Sequence, residues 1–142
     1  MARGAPDWQP WTAIQRFAAT GGATPFEVKL TVPANTAEAS PASQDIDLCK
    51  GFVSHVWIRF PAGPAGLLHV GIYDPSSGTK IWPGGSGQWF SGDNEIVEFD
   101  TEYDVPYCNS GAEKYYLQVK GWNEDDAYEH SVLVRIWVVK LP

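Results

Sequence analysis

The stretch HVWIRFPAGPAGLLHVGIYD, residues 55–74, decides the fold class. Two apolar runs flank a Pro/Gly-rich centre, and each run carries bulky side chains at odd and at even positions. The runs are short, rich in β-branched and aromatic residues and bounded by prolines and glycines, so both read as strands. With PAGPAG as a hairpin loop and Ile58 facing Val70, period two puts Val56, Ile58 and Phe60 with Leu68, Val70 and Ile72 on one face, a core layer. The other face receives His55, Trp57 and Arg59 beside His69, Gly71 and Tyr73. In that register Trp57 lies over Gly71, a ring covering a backbone that has no side chain.

Outward from this stretch, almost everything after residue 24 reads the same way. FEVKLTV (26–32), DIDLC (45–49), FVSHVWIRF (52–60), LLHVGIYD (67–74), TKIW (79–82), EIVEF (95–99), YYLQVKGW (115–122) and HSVLVRIWVVKL (130–141) are separated by turn clusters such as PSSG, PGGSG and SGDN. Short strands with no helix between them predict an all-β domain over residues 25–142, an eight-stranded antiparallel sandwich of jelly-roll type. Residues 1–24 differ. Pro6, Pro10, Gly21 and Gly22 interrupt them, and Trp8, Trp11, Ile14 and Phe17 supply their large apolar groups. They read as an irregular N-terminal arm with a short helix over 12–19, capped by Thr12.

A chain of 142 residues buries about 70% of its unfolded surface, so neither a disulfide framework nor a metal is needed to hold its core. The net charge of -7, with ten scattered Lys and Arg, argues against nucleic acid, which asks for clustered cations. No stretch approaches the ~20 apolar residues of a membrane span. The first residues lack the uninterrupted apolar run of a secretion signal, which predicts synthesis in a cytoplasm. In that compartment Cys49 and Cys108 are expected as free thiols.

The second face of the strongest strands is the functional clue. The last strand sets Leu133, Arg135, Trp137 and Val139 opposite its core row, and residues 115–122 set Tyr116, Gln118, Lys120 and Trp122 opposite theirs. A row facing water is normally plainly polar, whereas Trp, Tyr and Arg are enriched at protein interfaces. Three coverings fit: the chain's own arm, a partner or second copy, or a carbohydrate. The candidate interface comprises Trp8, Trp11, Phe17, Trp57, Arg59, Tyr73, Arg135 and Trp137. A separate candidate rim for a sugar is Trp82, Trp89 and Phe90, which bracket the turn PGGSG and equally suit a plug at the open end of the sandwich.

Signs of chemistry are sparse. His55, His69 and His130 lack metal-ligand spacing, so no metal or other cofactor is expected. Asp93 and Asn94, and Glu124, Asp125 and Asp126, offer oxygens suited to calcium, though turns favour Asp and Asn for backbone reasons alone. There is no G-x-S-x-G elbow and no phosphate-cradling glycine motif. The expectation is a protein that is not an enzyme and has no catalytic residues.

With the strands placed, FPAGPAGLLHVGIYD, IWPGG, WFSGDNEIVEF and GWNEDDAYEHSVLVRIWVV together resemble small β-sandwich proteins of tailed phages. The resemblance covers residues ~45–142, about two-thirds of the chain. It implies a virion structural protein similar to capsid decoration or cement proteins, which sit on a capsid shell, often as trimers, and commonly extend an arm over a neighbour. It carries no site residues.

Overall fold

A computed structural model describes residues 23–105 and 115–140. The helix expected over 12–19, the side chains of Trp8, Trp11 and Phe17, and Cys108 lie outside the described residues. Within them are nine strands and no helix: β1 (Ala23–Val32), β2 (Ala42–Asp47), β3 (Gly51–Phe60), β4 (Leu68–Asp74), β5 (Thr79–Trp82), β6 (Phe90–Ser91), β7 (Glu95–Val105), β8 (Tyr116–Asn123) and β9 (His130–Lys140). The first strand begins at Ala23, two residues inside the expected arm.

The strands form two antiparallel sheets. Sheet A runs β1-β9-β3-β7; sheet B runs β2-β8-β4-β5, with the two-residue β6 also paired to β4. Setting β6 aside, the first of eight strands pairs with the last, the second with the seventh, the third with the sixth and the fourth with the fifth. That winding is the jelly roll.

The expected β3–β4 hairpin does not form. β3 lies in sheet A and β4 in sheet B, so PAGPAG arches from one sheet to the other. Ile58 pairs with Val97 and Val134, and Val70 with Phe90 and Gly121. The face assignment nevertheless holds, because period two is blind to which neighbour a strand takes. Val56, Ile58, Phe60, Leu68, Val70 and Ile72 all point into the core and are fully buried. They meet across the sandwich rather than side by side.

One buried polar group sits at each end of this core. Asn123 sends its Nδ2 to the carbonyls of Val32, Pro33 and Tyr128, tying the β1–β2 and β8–β9 connections together. At the other end the Asp74 carboxylate, on β4, accepts from the hydroxyls of Tyr103 on β7, Tyr115 (2.6 Å) and Ser76. Asp74 thereby joins the sheets. Burial pushes its carboxyl up, but the hydroxyl and Ser76 N–H donors together outweigh that and hold it below the ordinary value. Burial, and then the Asp74 carboxylate, push the Tyr115 phenol up.

Two outcomes are expected. Asp74→Asn lowers stability by roughly 2–3 kcal/mol at pH 7, the scale of hydrogen bonds to a buried charge. Because the folded-state pKa is depressed, this contribution is fully present above the unfolded value near ~3.9 and fades as pH falls through the folded value. Urea unfolding at pH 7 and below pH ~3 checks that the gap between wild type and variant narrows in acid. Gly121→Ala costs roughly 1–3 kcal/mol by overpacking, since its Cβ would stand 3.0 Å from methyl carbons of Leu30 and Val32 and 3.2 Å from the His69 carbonyl.

Candidate functional site

The jelly roll splits the expected interface between opposite sides of the molecule. Trp57, Arg59, Arg135 and Trp137 are on the outer face of sheet A, because β3 and β9 are neighbours at its centre. Tyr73 is on the outer face of sheet B.

On sheet A the outward side chains fall into rows set by the strand register. One row reads Glu27, Arg135, Trp57, Glu98 across β1, β9, β3 and β7; the next reads Pro25, Trp137, His55, Asp100. The Arg135 guanidinium lies 4.6 Å from the centre of the Trp57 ring and 5.6 Å from that of Trp137, and its Nε donates to Glu27 at 2.7 Å. Its charge is thus answered within the chain while its plane, with two indoles, builds a firm patch. His55 extends the patch, edge-on to Trp137 at 5.3 Å, and its two ring nitrogens meet Asp100 and Glu98 at 2.7 and 2.9 Å. Trp57, Arg59, Arg135 and Trp137 are each half-buried.

Sheet B carries a second aromatic group, and here the expected rim comes apart. Trp82 and Phe90 turn inward against Phe99, at 5.8 Å each, and Trp82 also meets Tyr103. Both close the edge of the core, as a plug does. Trp89 instead crosses to the outer face and covers Gly71, whose Cβ would come within 3.2 Å of its ring. A ring does lie over Gly71, but it is Trp89 and not Trp57. Trp89 also meets Tyr73 at 6.2 Å and Trp122 at 6.1 Å, and donates its Nε1–H to Glu38. Trp122 stacks on His69 at 4.0 Å, and His69 bonds Glu124. Lysines cover two of these rings: Lys80 is 4.9 Å from the centre of Trp89 and Lys120 4.6 Å from that of Tyr73.

The acidic loops hold their carboxylates on backbone donors. Asp93 accepts from the N–H groups of Gly63 and Ala65, which pins the PAGPAG arch, and these bonds lower its pKa. Asp125 accepts from Ala127 and Tyr128 and meets His130 at 2.8 Å. Among the described residues no group of three or more His, Cys, Asp or Glu side chains could hold a metal ion. Cys49 is a free, half-buried thiol. No helix among the described residues is long and apolar enough to cross a membrane.

No protein-family model and no curated protein matches the chain. The surface chemistry therefore has to be read from the residues themselves.

Arg135→Ala is expected to lower stability by about 1–2 kcal/mol, the worth of a partly desolvated cation–π contact with an exposed ion pair added. Arg135→Lys should recover less than half of that loss, since an ammonium cannot lie flat on an indole. Urea denaturation of both variants checks this.

Proposed function

We propose that this chain is a non-enzymatic assembly protein that associates with copies of itself and docks on a larger shell, in the manner of a virion decoration protein. Jelly rolls build capsids and lectins alike, so the architecture leaves the choice to the surface. The observation that carries the reading is the Trp57–Arg135–Trp137 stack on sheet A. It is rich in the residue types that anchor protein interfaces, sits centrally on a sheet face, and has its charge already answered by Glu27. Burial against another protein would then leave no lone charge on this patch.

Sheet B supports the carbohydrate reading less well. A pyranose needs open ring faces, and Lys80 and Lys120 sit over Trp89 and Tyr73. Glycan binding that is lost on Trp89→Ala would move the function to that face.

Self-association is tested by sedimentation velocity on the full chain. The expected mass is a multiple of the 15.6 kDa monomer. Trp57→Ala should weaken association about ten-fold or more, as loss of an interface anchor does, with a fall in melting temperature of only a few degrees. A strictly monomeric wild type defeats the reading. Deleting residues 1–22 leaves β1 whole and should yield a folded domain, by circular dichroism, that assembles less well.

A further inference from the structure

Sheet A ends on β1, and among the described residues no strand pairs with the outer side of β1. Its inner side is laddered to β9 without a break from Ala23 to Val32. Pro25 tells which backbone groups are left over. A proline is tolerated in a ladder only where its nitrogen faces away from the partner strand, so Pro25, and with it Glu27, Lys29 and Thr31, turn their backbone groups to the open side. The core row of the same strand is sealed at one end only: Leu30 and Val32 are buried, whereas Phe26 and Val28 are half-buried against the core.

The outward row of β1 carries one acid and one base, Glu27 and Lys29, both exposed. Glu27 meets Arg135 through Oε1, and Lys29 makes no ion pair and no cation–π contact among the described residues. The other sheet ends differ. β7 carries five acidic residues and no basic one, and β2 two acids and no base, so two copies of either repel. β5 has only four residues.

We infer that the open edge of β1 pairs antiparallel with β1 of a second copy, about a two-fold axis that passes beside Val28 and perpendicular to the sheet. Charge selects the register. Centred on Val28, Glu27 of each copy stands opposite Lys29 of the other; a shift of one residue in the axis puts either Glu27 or Lys29 opposite itself, and like charges directly opposite are destabilising. On the core side the same register sets Val28 against its own copy and the half-open Phe26 against Leu30. Glu27 and Lys29 exchange backbone hydrogen bonds twice and the Thr31 N–H reaches the partner's Pro25 carbonyl twice, about six bonds in all. The contact is isologous and closes on itself. The inference rests on the self-association reading and adds to it a strand edge, distinct from the Trp57–Arg135–Trp137 face.

The test is charge reversal with complementation, read by sedimentation velocity on full chains. Glu27→Lys and Lys29→Glu, made separately, are each expected to associate about ten-fold more weakly than wild type, because like charges then face each other at both symmetric positions. An equimolar mixture of the two is expected to regain association: the first chain carries two bases on this row and the second two acids, so a mixed pair sets base against acid throughout. Thermal melts establish that each variant is folded. Since Glu27 also bonds Arg135, Glu27→Gln and Lys29→Gln stand in for a reversal that does not fold, and each must weaken association about three-fold or more. Hydrogen exchange reads the backbone directly: the amides of Glu27, Lys29 and Thr31 are expected to exchange more slowly in associated than in dilute wild type. A wild type that associates while these amides stay unprotected, while the single variants associate equally well, or while the mixture gains nothing over its components, overturns the edge contact, gives the edge to another occupant such as residues 1–22, and leaves self-association standing. A monomeric wild type overturns both.

Discussion

The structure depends on one contact, the aliphatic layer that β3 and β9 press against β4 and β8. Val56, Ile58, Val134 and Ile136 from one sheet and Val70, Ile72, Leu117 and Val119 from the other are all fully buried. Their alternation fixes the opposite parity on every central strand, and so decides which side chains must face outward. Asp74 and Asn123 then close the layer at its ends with hydrogen bonds, which makes each end specific for one arrangement of strands. A slip of one residue would bury Arg135 and Trp57 and expose the aliphatic row.

Strand positions and faces were legible in the sequence because both follow from period two. Partners were not. PAGPAG suits a hairpin and an inter-sheet arch equally well, and the core row is the same in either case; what selects the arch is the winding of the whole chain, with Asp93, thirty residues on, gripping Gly63 and Ala65. β7 runs on to Val105 although DTEYDV looks like a polar loop. Its acids point outward or lie at a bulge while Tyr103 and Val105 turn inward, and a single edge strand with one wet side shows that pattern only weakly. Of the candidate residues, Trp57, Arg59, Arg135 and Trp137 come together because two centrally placed strands carry them. Tyr73 parts from them because its strand belongs to the other sheet. Trp89 belongs to a turn, where no periodicity predicts direction, and its place over Gly71 arises from the missing side chain there.

The two outer faces offer different chemistry. Sheet B turns Trp89 across Tyr73 and Trp122 and covers two of its rings with lysines, which leaves an uneven, polar surface. Sheet A lays a guanidinium against two indoles at its centre, with the exposed carboxylates of Glu98 and Asp100 along the β7 edge. The acids along β7 discourage open-ended strand addition at that edge of sheet A.

The pairing of β1 with β9 sets a condition on synthesis. The strand at residues 23–32 finds its hydrogen-bonding neighbour only when residues 130–140 have left the ribosome, so sheet A stays incomplete until its last strand emerges. Nearly every ladder in the domain joins residues far apart in the chain, which makes folding slow relative to helical domains of this size. Until it finishes, the aliphatic rows of both sheets are open to other nascent chains.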